Sequence, residues 1–238
     1  MSPRASLAAR TASGLLLVVA LAVGCGGSPR TSPPSGVDGL VIPTPSPAPD
    51  DFVTGIDNPW LPLAPGATWT FEVQDATGEA VRTTRVLSGT REVAGIAATQ
   101  VETRTETDGA GTAESTELRW YAQDRAGNVW ALGEQGVWEA GVDGAEAGLA
   151  MPAAPRRGDA FALWGDDGTP GTVVRVGERD SSVTVPAGRF TELLEIELTG
   201  GPPEDERTVY LAREVGEVLS LEQDGASRVE LVEHRAGA

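Results

Sequence analysis

Glu134 and Glu139 are the acids best placed to do chemistry in this chain. They are flanked by Trp130 and Trp138 in the run WYAQDRAGNVWALGEQGVWEAGVDG, Trp120 to Gly144. Two carboxylates held about 5 to 9 Å apart hydrolyse glycosides, and tryptophan faces stack on sugars. The competing reading is a set of solvated acids around a core tryptophan cluster, since among 35 acidic residues some pair always looks suitable. A second candidate is the turn Asp124-Arg125-Ala126-Gly127-Asn128. Calcium favours carboxylate and carbonyl oxygens, but this turn lacks the alternate ligand spacing and the closing glutamate of a calcium loop. An aspartate bonded to its own backbone explains the turn equally well. Asp166-Asp167-Gly168 reads the same way, so no metal site is expected. The candidate ligand-facing residues are Trp120, Tyr121, Asp124, Asn128, Trp130, Glu134 and Trp138.

The supply of other catalytic groups is short. All 18 basic residues are arginine, and the chain has one cysteine, Cys25, and one histidine, His234, four residues from its end. A Ser-His-Asp triad and a histidine-rich zinc site need more than this. A nucleophile needs an activating base, most often histidine, and His234 is expected beside a frayed terminus. No G-x-S-x-G elbow, P-loop or G-x-G-x-x-G occurs, and no cofactor is expected. The residues that stand out are aromatic, glycine and proline, which set shape. The reading favoured is a non-catalytic binding or structural module, with a carboxylate-dependent, glycosidase-like hydrolase as the alternative.

The formal net charge is -17. A surface so acidic argues against nucleic acid and against docking on anionic headgroups. The amino end carries its own address. Arg4 and Arg10 precede the apolar run Gly14 to Val23, which is followed by Gly24 and Cys25. A charged start, a short apolar run and small residues form an export signal; a spanning helix needs about 20 apolar residues. Ala22-Val23-Gly24-Cys25 resembles the bacterial lipoprotein box, with Ala22 where leucine is commonest. That resemblance implies a signal over residues 1–24, acylation of Cys25 and a domain on the extracytoplasmic side of the cell membrane. Two acyl chains hold a protein stably where one does not. Residues 25–51 are rich in proline, serine and glycine. They read as an extended tether reaching up to roughly 75 Å.

The folded domain is expected over 57–233. Trp69 to Val73 alternates apolar and polar residues, the pattern of a half-buried strand. Turns are expected at Asp75 to Gly78 and at Ala94-Gly95. Val101 to Thr107 is polar on both faces, which suits a sheet edge or a part of the sheet that bends into water. The run Trp120 to Gly144 reads as two strands joined by the Asp124 turn, a second turn near Gly133 to Gly136 and a third short strand. Ala145 to Arg157 reads as a loop. Segments from Phe161 to His234, including Thr191 to Leu198, read as further strands. Asp-Gly pairs at 108–109, 143–144, 167–168 and 224–225 mark tight turns. The whole is an all-β, single antiparallel domain of about ten to twelve strands. It should curve into an open barrel or clam with Trp69, Trp120, Trp130 and Phe190 inside; a two-sheet sandwich is the alternative.

Five stretches, NPWLPLAPGATWTFEV (58–73), WYAQDRAGNVWALGE (120–134), WEAGVDGAEAGLAMPAAPRRGD (138–159), VTVPAGRF (183–190) and VYLAREVGEVLSLE (209–222), together resemble a group of uncharacterised bacterial exported proteins and lipoproteins. The resemblance covers most of the chain after residue 57. This chain departs from it at Ala131-Leu132 and at Ala212-Arg213-Glu214. It implies a β-rich fold and transfers no activity. The partners consistent with it are the membrane, through the acyl chains, and a lipid, a glycan or an envelope protein held by the domain.

Overall fold

The computed structural model describes residues 48–237, except 77, 108–112, 163–164, 167–168, 171, 201–205 and 223–224. All of them fall in one compact unit, Leu40–Ala238. Cys25, the export signal and the tether before Ala48 lie outside the described residues, as do Trp164, Asp108-Gly109, Asp167-Gly168 and Asp224.

The first described residues, Pro49–Asp51, form a 3-10 turn, and seventeen strands follow. They are β1 (Phe52–Val53), β2 (Thr68–Asp75), β3 (Gly78–Val93), β4 (Ile96–Thr107), β5 (Ala113–Asp124), β6 (Val129–Glu134), β7 (Trp138–Glu139) and β8 (Gly148–Met151). After these come β9 (Ala160–Ala162), β10 (Gly165–Asp166), β11 (Thr169–Pro170), β12 (Val173–Val176), β13 (Ser181–Val185) and β14 (Gly188–Thr199). The last three are β15 (Arg207–Ala212), β16 (Gly216–Glu222) and β17 (Arg228–Arg235). Fifteen strands make one antiparallel sheet in the order β7-β6-β5-β4-β3-β2-β17-β16-β15-β14-β12-β9. β1 pairs β5, β13 pairs β14 and β8 pairs β6 off that path, while β10 and β11 form a separate small hairpin. β8, near one end of the path, packs beside β9 at the other end. The sheet therefore curls toward itself, but no ladder closes it among the described residues. This is the open, curved all-β architecture read from the sequence. The strand number exceeds ten to twelve because two-residue pieces such as β1, β10 and β11 carry too little pattern to be seen.

Three local readings change. Ala145 to Arg157 is not all loop: Gly148–Met151 pairs with Val129, Trp130 and Ala131. The backbone of β6 offers that ladder, and residue pattern alone cannot reveal it. The polar stretch Val101 to Thr107 is not an edge, because β4 lies between β3 and β5. Ordered structure also begins ahead of Asp57, with Phe52 paired to Asp124.

Strand alternation explains the interior. In β2, Trp69 and Phe71 are buried while Glu72 is exposed. In β5 and β6 both faces are covered, and the residues divide. Tyr121, Val129 and Ala131 face the main core with Trp69, Phe71, Val86 and Leu231. Trp120, Ala122, Trp130 and Leu132 face a second core with Val93, Ile96 and Ala98. Trp69, Trp120 and Trp130 are inside and Phe190 is half-buried, but the tryptophans serve two cores.

Gly133 shows how tightly the second core is built. It sits opposite Trp120 with φ +156°, and a Cβ there would lie 2.7 Å from the indole ring and from the Trp138 carbonyl. Neither the ring, 2 % exposed, nor the backbone has room to retreat. Gly133→Ala should therefore destabilise the protein by about 2–3 kcal/mol, read as a drop in urea midpoint at unchanged slope. A shift below about 0.5 kcal/mol, the size of an ordinary surface change, would mean that the β5–β6 pair is not packed as described.

Candidate functional site

The concave face of the sheet holds a cavity of about 450 Å³. Its residues follow from register. Trp69 and Phe71 of β2 stand beside Thr84 and Arg82 of β3; these in turn meet Thr103 and Thr105 of β4. Glu117 and Arg119 of β5 pair with Thr103 and Val101, and Tyr121 continues the same face. Leu61, Pro62 and Leu63 of the proline-rich lead-in form a wall, and Glu217 of β16 and Arg207 of β15 close the far side. The polar residues of β4 thus have a physical reason: one polar face is solvated and the other lines the cavity.

Charge in this cavity is mostly paired. Arg82 Nη2 donates to Glu217 Oε1 at 2.6 Å, and the two side chains are 17 % and 29 % exposed. β3 and β16 are separated in the sheet by β2 and β17, so this bridge spans the concavity. The Arg82 guanidinium also lies 4.3 Å over the Phe71 ring. Arg119 donates to Glu134 Oε2 at 3.0 Å and lies 3.0 Å from Glu117. Burial works against the charge of Arg119, but Tyr121, Glu117 and Glu134 more than offset it and hold its pKa above the ordinary value. Burial pushes the Tyr121 phenol up, with Arg119 acting the other way. At the back, Trp69 donates its indole N–H to the Val215 carbonyl at 2.6 Å and stacks on His234 at 5.2 Å. His234 is not at a frayed end: it lies in β17, paired with Trp69. Burial holds its pKa down.

The Asp124 turn builds something else. One Asp124 carboxylate oxygen accepts from the Asn128 backbone N–H at 2.9 Å. The other accepts from Asn128 Nδ2 at 2.8 Å and from the Trp130 indole at 2.9 Å. Asn128 Oδ1 then accepts from the Ala153 N–H. Asn58 donates to the Gly127 and Pro152 carbonyls, and Gln123 Oε1 accepts from the backbone of Asp57 and Asn58. Asp124, Asn128 and Trp130 therefore form one buried polar knot that ties the lead-in and the 152–153 loop to the β5–β6 hairpin. Among the described residues, no group of three histidine, cysteine or acidic side chains is gathered for a metal.

No family model and no curated protein matches the chain. A solved structure described as a candidate lipoprotein from Parabacteroides distasonis ATCC 8503 is similar to it with a TM-score of 0.32 and 14% identity, covering 74% of this chain and 98% of that one. Likeness at this level transfers neither fold nor function.

The remaining sequence candidates separate. Tyr121 lines the concave cavity, whereas Trp120, Glu134 and Trp138 line a shallower depression of about 210 Å³ with Glu139 and Val142. Glu134 pairs across β6–β7 with Trp138, and Glu139 pairs with Gly133. Adjacent rungs of a ladder point to opposite faces, so the two acids leave opposite faces of the β6–β7 ladder, although both border the depression. Each has its own arginine, Arg119 for Glu134 and Arg91 for Glu139. Sequence reasoning missed Trp69, Arg82, Thr103, Arg119 and Glu217 as a group. Doubly polar β4 was the available signal, but the partner across the cavity, Glu217, is 135 residues from Arg82.

The Asp124 knot has a pH signature. Burial alone would raise the Asp124 pKa, but bonds from Asn128, Trp130 and the backbone outweigh it and hold the pKa below its ordinary value. The unfolded chain then binds more protons than the folded one between the two pKa values. Asp124's contribution is full above about pH 4 and is lost as pH falls through the depressed folded value. Asp124→Asn, which places an amide among three donors, should cost about 1–3 kcal/mol at pH 7 and distinctly less near pH 3. Urea titrations at both pH values check this; an equal cost at both would remove the charge from the explanation.

Proposed function

We propose that this chain is an exported, lipid-anchored binding module. Cys25 carries the acyl anchor, residues 26–47 tether the domain outside the cell membrane, and the concave cavity takes a small ligand. The single observation that carries the binding reading is the cavity itself. Its 450 Å³ falls in the range of small-molecule sites, and its lining joins the Trp69 and Phe71 rings to arginine, glutamate and threonine side chains. The anchor reading rests on the sequence: the only cysteine stands directly after an apolar export run ending in small residues. A binding role also accords with these acids being held in arginine pairs.

Two measurements test the reading. Intact mass of the membrane-extracted protein should show a mature chain beginning at Cys25 with acyl mass added, and Cys25→Ser should leave the signal uncut or release the protein from membranes. A mature amino terminus elsewhere without acyl mass would refute the anchor. Native mass spectrometry of the same material should show a bound small molecule that is lost in Thr103→Phe, whose ring fills the cavity from β4. Retention of that molecule by the filled variant would move the site elsewhere.

A further inference from the structure

We infer that the cavity ligand is an amphiphile with an anionic head, a carboxylate or a phosphate monoester, seated on Arg82 and Arg119. This rests on the binding reading above and adds the chemistry of the ligand. The first observation is composition. The chain carries 35 acidic and 18 basic residues, yet three arginines, Arg82, Arg119 and Arg207, line this cavity against two glutamates, Glu117 and Glu217. The cavity is thus far less acidic than the chain as a whole, even with Glu134, which bonds Arg119, counted in. The second is an unused donor. A guanidinium presents five N–H groups in a fixed fork. Arg82 gives Nη2 to one oxygen of Glu217, while its buried Nε has no acceptor. A buried donor without an acceptor costs about 1–3 kcal/mol. The fork suits bidentate capture of a carboxylate or phosphate; Glu217 takes only Nη2, and the shielded Nε becomes reachable when that pair opens.

The third observation is where the apolar surface lies. Phe71, beneath the Arg82 guanidinium, and Trp69 beside it continue into Val101, Tyr121 and Leu63 along the cavity wall. A head on the arginines therefore leaves a short apolar tail against aromatic and aliphatic side chains. Burying that tail removes apolar area from water at about 25 cal/mol per Å². Glu217 is then a competitor for the head: the arriving anion displaces it from Arg82 or completes the fork beside it. Holding Arg82 on Glu217 in the empty state keeps a half-buried cation paired.

Octyl compounds with four heads separate the possibilities: octanoate, octyl phosphate, octanol and octylamine. They are titrated calorimetrically into the full chain held in phospholipid nanodiscs, with empty discs as the blank. The expected result is that octanoate or octyl phosphate binds at least about tenfold more tightly than octanol and octylamine, as one charge-assisted contact implies. The stronger of the two anions identifies the head as carboxylate or phosphate. Arg82→Met should erase that preference, and Glu217→Gln, which removes the competing carboxylate and keeps the shape, should tighten the anion. Should Arg82→Met fail to fold, Glu217→Gln alone decides, because a merely structural bridge gives no reason for affinity to rise. Octanol binding as tightly as the anions would overturn the anionic head while leaving the cavity as a site. Failure of all four probes to bind, in wild type and in Glu217→Gln, would overturn the binding reading as well.

Discussion

A carboxylate in a protein interior has to be met by donors, and that requirement organises one end of this molecule. Asp124 closes β5 where three donors converge on it. The donors come from the turn and from β6, so the hairpin can form only with Trp130 turned toward the second core. Because β5 is covered on both faces, this choice also fixes its other face: Arg119 and Tyr121 must look into the concavity. Bonds from Gln123 and Asn58 next to the same turn pull in the lead-in. That segment then runs to the β15–β16 turn, where the Glu214 N–H donates to the Pro59 carbonyl. Leu61, Pro62 and Leu63, a cavity wall, follow directly, before Gly66 and Ala67 bond to the Val86 backbone. The knot is not the site, yet it sets two of the site's boundaries.

The opposite boundary depends on the sheet being open. In a closed barrel the ladder itself would hold the far strands in place. Here β16 is three strands from β3, and curvature alone brings Glu217 to Arg82. Such a bridge is half-desolvated. Pairs of this kind add little net stability, but losing one partner strands a charge. A cavity spanned by a bridge that is marginal in net stability is easier to re-pair than one sealed by packing.

Much of the fold was legible because period-two alternation is local. Trp69 and Phe71 declare their buried face within a handful of residues, and the Asp124 turn declares itself by its glycine and its asparagine. What was not legible depends on partners far along the chain. β8 is a strand because β6 has an open backbone row, not because Gly148 to Met151 is patterned. Trp120 and Trp130 read both as interior residues and as a ligand-facing pair because aromatics are enriched in both cores and sites; alternation at Tyr121 puts them in a second core, where Trp120 also borders the shallow depression. The concave site was the least legible part. Most of its members are ordinary strand residues at every second position of β2, β3, β4 and β5, and only the register brings Arg82, Thr103 and Arg119 onto one surface.

The contrast between a cavity rich in arginine and a chain of net charge -17 is a question of range. Most of the acids are exposed, and at physiological ionic strength charges more than about 8 Å apart across water are largely screened. Repulsion of an anion by the outer surface is then weak by the time it reaches the mouth. Inside, the effective dielectric is lower, screening ions are excluded and a guanidinium acts at hydrogen-bond distance, where its attraction is several times that of an exposed pair. The local term therefore outweighs the global one. A strongly acidic protein can stay dispersed by its surface charge and still present a cationic interior, provided the arginines are recessed behind walls such as Leu61 to Leu63. Exposed arginines would be neutralised by the surrounding acids, as Arg91 is by Glu139 and Arg157 by Glu178. Recession is what keeps Arg82, 17 % exposed, answerable to a small number of partners, whereas Arg119, 37 % exposed, is held by Glu117 and Glu134.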